Sequence, residues 1–163
     1  PEVAAVWASP LLRATATAAP IAEALGLPTR TDARLVERMS WDDADGLSLD
    51  QFLAEWHRAT QDRAHQPVVG DSSQAAAARF LEAVGDIASG VVDGSTVVVV
   101  SHGGVTVDAL RDLMGDEALV EQRPDLLWDG VPCGAITRLR VDDAIEVAAL
   151  PSTRHLGHLG DPP

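Results

Sequence analysis

The chain has no lysine, tyrosine or asparagine, and its 163 residues contain a single cysteine, Cys133. One cysteine excludes an internal disulfide framework and suits a reducing compartment, so a cytoplasmic location is expected. Near a strand start, Cys133 is expected to pack as a small hydrophobe. The three missing residue types, beside abundant alanine, arginine, valine and glycine, look like high-GC coding bias and carry no functional message. Positive charge is scarce: the net charge of −13 argues against nucleic-acid binding through a broad basic face. No apolar run is long enough to span a membrane, and the start shows no signal-peptide pattern. There is no internal repeat and no low-complexity segment. Residues 1–163 read as a single domain, long enough for a sizeable core.

Against these absences stands Val97-Val98-Val99-Val100-Ser101-His102-Gly103-Gly104. A continuous β-branched run reads as a strand buried on both faces of a parallel sheet. The glycines allow a sharp turn and close approach of a ligand. A helix from about Val105 to Met114 follows, and its N-terminal N–H groups point back at the turn. A histidine in that place suits a phosphate. The same eight residues fit equally a strand–turn–helix joint with an incidental histidine.

A second unit of this kind opens the chain. Val3–Ala8 is a short apolar run, followed by Ser9-Pro10-Leu11-Leu12-Arg13. Ser9 reads as an N-cap and Pro10 as the first helical residue. Leu11, Ala14, Ala18, Ile21, Ala22 and Leu25 then recur on one helix face, and Gly26 and Pro28 end it. Arg13 lies in the first turn, where a cation opposes the helix dipole. A bound anion would account for it, and so would a neighbouring carboxylate. Two such units suggest one anion site at the carboxyl edge of one sheet.

The remaining pattern predicts an extended stretch over 29–36, a loop over Trp41–Asp50, and a helix over Leu49–Arg63 with Phe52, Leu53 and Trp56 on one face. Asp71 with Gln74 reads as a capping box ahead of a helix carrying Ala77, Phe80, Leu81, Val84, Ile87 and Ala88. Ala135–Val141 and Ile145–Leu150 alternate like a hairpin joined at Asp142-Asp143, and Gly160 to Pro163 reads as a loose tail. Interleaved helices and strands indicate a three-layer α/β/α sandwich.

Ala8-Ser9-Pro10-Leu11-Leu12-Arg13-Ala14 and Val100-Ser101-His102-Gly103-Gly104-Val105 resemble two signatures of the histidine phosphatase superfamily, the phosphoglycerate mutase-like proteins. Leu35-Val36-Glu37, Gly70-Asp71-Ser72, Pro132–Thr137 and His155-Leu156 resemble further family segments in the same order. The resemblance implies a phosphate monoesterase working through a phosphohistidine, with a small phosphorylated metabolite as substrate. It implies Arg13, His102 and Gly103 as phosphate ligands and Arg13, Glu37 and His102 as catalytic residues. Glu37 would be the proton donor, with Asp42 and Asp43 as rivals. No cofactor, metal, nucleic acid or membrane is implied. His155 would lie near the site rim, and a His155–His158 metal pair lacks accompanying ligands. His57 and His65 read as exposed. Specificity would reside in the loops Trp41–Asp50 and Glu117–Asp129, where Trp41 and Trp128 wall a pocket or join the core.

The sequence departs from the family in one respect: it contains no Arg-His-Gly, the motif that carries the nucleophile. The chain opens at Pro1, on what resembles the family's second strand. The expected explanation is loss of the first strand and helix by truncation, processing or a misplaced gene start, or a degenerate natural product. An interior strand is worth on the order of 10 kcal/mol in ladder bonds and buried side chains. Marginal folding, and self-association through an open sheet edge, are therefore expected. The alternatives to a phosphatase are a phosphate-binding or regulatory protein and a mutase-type phosphotransferase. The short distance from Glu37 to His102 favours phosphatase over mutase. An α/β-hydrolase ranks lowest, because no Gly-x-Ser-x-Gly elbow is present.

Overall fold

The computed structural model describes residues 2–160. Its elements are β1 (Val3–Ala8), α1 (Leu12–Leu25), β2 (Thr29–Thr31), α2 (Leu49–Gln61), α3 (Ser73–Ser89), β3 (Thr96–Val100), α4 (Gly103–Met114), α5 (Asp116–Gln122), β4 (Ile136–Val141) and β5 (Ile145–Ser152). Short 3-10 turns cover Ala33–Leu35, Trp41–Asp43, Pro124–Leu127 and Arg154–Gly160. Asp161 to Pro163, most of the expected tail, lie outside the described residues.

Three strands form a parallel sheet in the order β2-β1-β3. Side chains alternate across it. Val6, Ala8, Val98 and Val100 face one way and pack with Ala18, Ala22 and Ile21 of α1. Trp7, Val97 and Val99 face the other way, against Phe80, Ala83, Val84 and Ile87 of α3 and Val105 and Ala109 of α4. Helices on both faces of a sheet give the three-layer α/β/α arrangement. The β4–β5 hairpin is antiparallel and is not hydrogen-bonded to that sheet. Its Leu139, Val141 and Ile145 nevertheless reach the core shared by α3 and α4.

Several local expectations are corrected. β3 is only half-buried at all five positions, because it is an edge strand rather than an interior one. Ser9 does not cap α1: the helix starts at Leu12 and the Ser9 hydroxyl turns to the Leu11 N–H and to His102. The α3 cap is Ser72, whose hydroxyl accepts from the Ala75 N–H, while Asp71 pairs with Arg79. A capping box does occur, between Ser48 and Gln51 at the start of α2. The segment Glu117–Asp129, read as a loop, holds most of α5 and a 3-10 turn, whose Leu119 and Leu126 are fully buried. Cys133 is exposed rather than packed. Trp41 and Trp128 are also exposed, so neither belongs to the core. No helix among the described residues is long and apolar enough to cross a membrane.

Candidate active site

β1 and β3 are neighbours and parallel, with Ala8 opposite Val100. The residues that follow their carboxyl ends therefore meet. The first is Arg13, in the first turn of α1. The second is His102, the residue immediately before α4. Arg13 Nε donates to His102 Nδ1 at 3.1 Å. His102 Nε2 lies 2.8 Å from Ser9 Oγ. The arginine Nε is a donor only, so Nδ1 accepts and the ring proton sits on Nε2, directed to Ser9. His102 is buried, and burial holds its pKa below the ordinary histidine value. The Arg13 and Arg79 cations push in the same direction, while the Glu37 carboxylate partly opposes them.

This depressed pKa has a sign. The unfolded chain takes the proton first, at its ordinary value near about 6.5. The contribution of the neutral ring to stability is therefore full above that pH and is lost as pH falls towards the folded value. Thermal unfolding of the native chain and of His102→Gln, compared between neutral and mildly acidic pH, should show a smaller loss on acidification in the variant. Parallel pH profiles would contradict this assignment.

Glu37 arrives from the other direction. Leu35, fully buried, closes the 3-10 turn after β2, and the chain then runs beneath the start of α4. Glu37 Oε2 accepts from the Gly104 N–H at 2.9 Å, and Oε1 from the Val105 N–H at 2.7 Å and the Arg38 N–H at 2.8 Å. The helix N-terminus expected to cradle an anion is thus filled by a carboxylate of the chain itself. Gly104 is needed for that approach, since a Cβ there would stand 2.6 Å from Glu37 Oε1 and 2.5 Å from the Trp56 ring.

Two arginines that the sequence did not flag hold Glu37 in place. Arg79 of α3 donates to the backbone carbonyls of Arg34, Val36 and Glu37 and pairs with Asp71. Arg38 is buried, and its guanidinium donates to Asp108 Oδ1 and to Thr60 Oγ1, each at 2.9 Å, while stacking on Trp56. Asp108 has no exposure at all and also accepts from Ser73. Burial pushes the Asp108 carboxyl up, and Arg38 works against that shift. Gly70, at φ +80°, leaves the Arg38 carbonyl room to pass where a side chain would not fit. One signal in the sequence pointed to Asp108. It follows Val105 by three residues, on the core-facing stripe of α4, where an acid needs a partner.

The structure brings Arg13, His102 and Glu37 into one electrostatic cluster. Gly103 lies in it by its position between His102 and Gly104. Asp43 is exposed, and the Asp42 side chain lies outside the described residues. His57 is exposed, whereas His65 is half-buried and sits 3.0 Å from Glu55. His155 lies in the last 3-10 turn, and the His158 side chain is outside the described residues. No group of side chains suited to a metal occurs among the described residues.

A family model described as histidine phosphatase superfamily (branch 1) matches residues 2–143. The chain belongs to this superfamily. Among solved structures it is similar to a mycobacterial glucosyl-3-phosphoglycerate phosphatase, at 23% identity over 93% of this chain and 78% of that one, with a TM-score of 0.69. It is similar to Bacillus stearothermophilus YhfR at 26% identity over 91% and 73% of the two chains, with a TM-score of 0.64. A putative alpha-ribazole-5'-P phosphatase from Escherichia coli matches at 26% identity over 92% and 74%, with a TM-score of 0.59. The first of these likenesses shows the fold alone. No curated protein matches the chain. This superfamily member therefore has the α/β architecture of its phosphatase relatives, with the Arg13–His102 pair at the carboxyl edge of the parallel sheet.

Proposed function

We propose that the Arg13–His102–Glu37 cluster is the phosphate-handling part of a phosphatase for small phosphate monoesters. The observation that carries this reading is the Arg13 Nε to His102 Nδ1 contact at 3.1 Å, made by residues 89 positions apart. Neither side chain needs the other to fold its own helix, yet two parallel strands bring them together. A phosphate oxygen entering between them would accept from the planar arginine fork. A dianion beside the imidazole would also favour its protonation, and Nδ1–H would then donate to the phosphoryl group. Glu37 is the carboxyl whose charge acts on His102. As a general acid it would first release one of its backbone N–H partners, then protonate the leaving oxygen and later activate water.

In this reading the phosphoryl group is carried by a histidine in an Arg-His-Gly motif, and residues 1–163 contain no such motif. The chain by itself is therefore expected to bind phosphate and not to turn over phosphate monoesters. Calorimetric titration with inorganic phosphate should show binding, and Arg13→Ala should weaken it by about tenfold or more, in line with a charge-assisted contact of roughly 1.5–3 kcal/mol. Hydrolysis of p-nitrophenyl phosphate above the uncatalysed rate would overturn the assignment of an absent nucleophile. Unchanged phosphate affinity in Arg13→Ala would overturn the site itself.

A further inference from the structure

The phosphate cluster continues into a cavity. Gly103 and Gly104 follow His102, and the Gly104 N–H holds Glu37. The same two glycines line a solvent-open cavity of about 220 Å3 between α2, α4 and the segment 126–131. The join is close. A Cβ on Gly104 would stand 2.6 Å from Glu37 Oε1 and 2.5 Å from Trp56 Cη2, so the carboxylate and a ring of the cavity wall are neighbours. A Cβ on Gly103 would meet the Val131 backbone at 3.6 Å. Two successive glycines thus leave the stretch between His102 and the cavity free of side chains.

A general acid must lie within hydrogen-bond reach of the oxygen it protonates. With phosphate between Arg13 and His102, and Glu37 as the acid, the ester oxygen falls beside Glu37 and the alcohol extends over Gly103 and Gly104 into this cavity. Its lining is mixed. Trp56, Val107 and Val131 supply apolar surface, and Trp128, 67% exposed, adds a second indole. Two cations also line it, and neither is available to a ligand. Arg111 spends all three guanidinium nitrogens on Asp116 and the Thr60 carbonyl. Arg38 spends its terminal nitrogens on Asp108 and Thr60, and burial seals its Nε from the cavity. Each arginine is thus neutralised by its own acid, and the exposed charge in the lining is Asp129. A carboxylate or second phosphate on the alcohol would meet a like charge and no free cation. An uncharged ring would meet indole and aliphatic surface. The volume falls below the roughly 300–1,000 Å3 of a drug-sized ligand's pocket, so it suits part of a substrate. We propose that this cavity is the leaving-group subsite of the phosphatase site, selecting monoesters whose alcohol or phenol has a ring-sized apolar body and no second anionic group. Trp128 is its specificity-determining wall, and Asp129 rejects acids. The inference rests on the phosphatase reading and names the substrate class of that same site.

Without a nucleophile the chain leaves monoesters intact, so the test is binding. Inorganic phosphate, phenyl phosphate and 3-phosphoglycerate are titrated separately into the native chain by calorimetry. The Trp128 indole N–H cross-peak in a 15N-correlated spectrum, assigned by its loss in Trp128→Ala, reports on the cavity. Phenyl phosphate should bind about tenfold more tightly than inorganic phosphate, the scale of one aromatic contact, and should move that peak saturably. In Trp128→Ala, which removes an exposed side chain, the ratio of these two affinities should fall towards one. The carboxylated ester should bind no more tightly than inorganic phosphate, and Asp129→Lys should improve it several-fold relative to phenyl phosphate. Equal affinities for phenyl and inorganic phosphate, with the Trp128 peak unmoved, would overturn the subsite and leave the phosphate site standing. Phenyl phosphate affinity unchanged in Arg13→Ala would overturn the link between cavity and phosphate site. Tighter binding of 3-phosphoglycerate than of phenyl phosphate would overturn the substrate class. Binding of none of the three would overturn the phosphatase reading, and this inference with it.

Discussion

Asp108→Ala is expected to lower the unfolding temperature of this chain by about 10 °C, the largest effect of any single substitution considered. Asp108 and Arg38 are both removed from solvent and paired at 2.9 Å. Charges taken out of water lose several kcal/mol of hydration each, and their mutual attraction offsets that loss only while both are present. Removing the carboxylate leaves a buried guanidinium beside Thr60 without the carboxylate it bonds. Breaking such a pair costs about 3–5 kcal/mol, a large share of the roughly 5–15 kcal/mol that holds a domain together. For a chain of this size each kcal/mol shifts the midpoint by about 2–4 °C.

A second variant separates charge from packing. Replacing both members at once, Arg38→Met with Asp108→Leu, removes the desolvation cost along with the attraction, and such swaps are often neutral or stabilising. The double variant is therefore expected to unfold closer to the native chain than Asp108→Ala does. A drop below about 2 °C in Asp108→Ala would show that water reaches the pair. A double variant as damaged as the single one would show that the stability resides in the shape of the network.

The parts of this site that could be read from sequence are those fixed by chain connectivity. Arg13 and His102 each follow a short apolar run and open a helix, so a parallel sheet must bring them to one edge. The alternation of Val6 and Ala8 with Trp7, and of Val98 and Val100 with Val97 and Val99, settles which faces the helices cover. What was not legible depends on long-range partners. Nothing local tells Glu37 to bond the N–H groups of Gly104 and Val105, 67 and 68 residues away. An arginine such as Arg79 reads as a surface cation until three carbonyls converge on it. The valine run promised a fully buried strand because hydrophobicity reports the tendency to be covered, whereas coverage depends on which strands flank it. At Cys133 hydrophobicity misled in the same way: the turn before β4 projects it into solvent.

The charges at this sheet edge also balance one another. A helix N-terminus and an arginine at one sheet edge would repel each other if both were left bare. Glu37 supplies the negative charge that α4 favours, and His102 stays neutral because burial and two cations disfavour its proton. The backbone donors at the start of α4 are thereby satisfied within the chain.

The second large effect is expected in solution assembly. Among the described residues, β3 pairs with β1 along one side and with nothing along the other, and β4 likewise pairs only with β5. The free side of β3 carries the backbone of four consecutive valines. Its two faces are covered by α1 and by α3 with α4, so the unmet capacity is in the strand edge. Natural edge strands are protected by charge, proline or a bulge; Val97–Val100 have none of these, and the register irregularity in this pairing lies earlier, between Val3 and Ala5. A second copy of the same chain offers a matching edge. Each ladder bond contributes roughly 1 kcal/mol, and the valine side chains of two strands brought together add apolar burial. We therefore expect the chain to sediment as a dimer or larger species whose share grows with concentration. Val99→Pro, which removes a donor and stiffens the strand, is expected to shift the distribution towards monomer. The variant's fold can be checked independently by its helical circular dichroism, since all five helices lie outside β3. A single monomeric species over about a hundredfold range of concentration, with a cooperative melt, would show that this edge is closed to other chains.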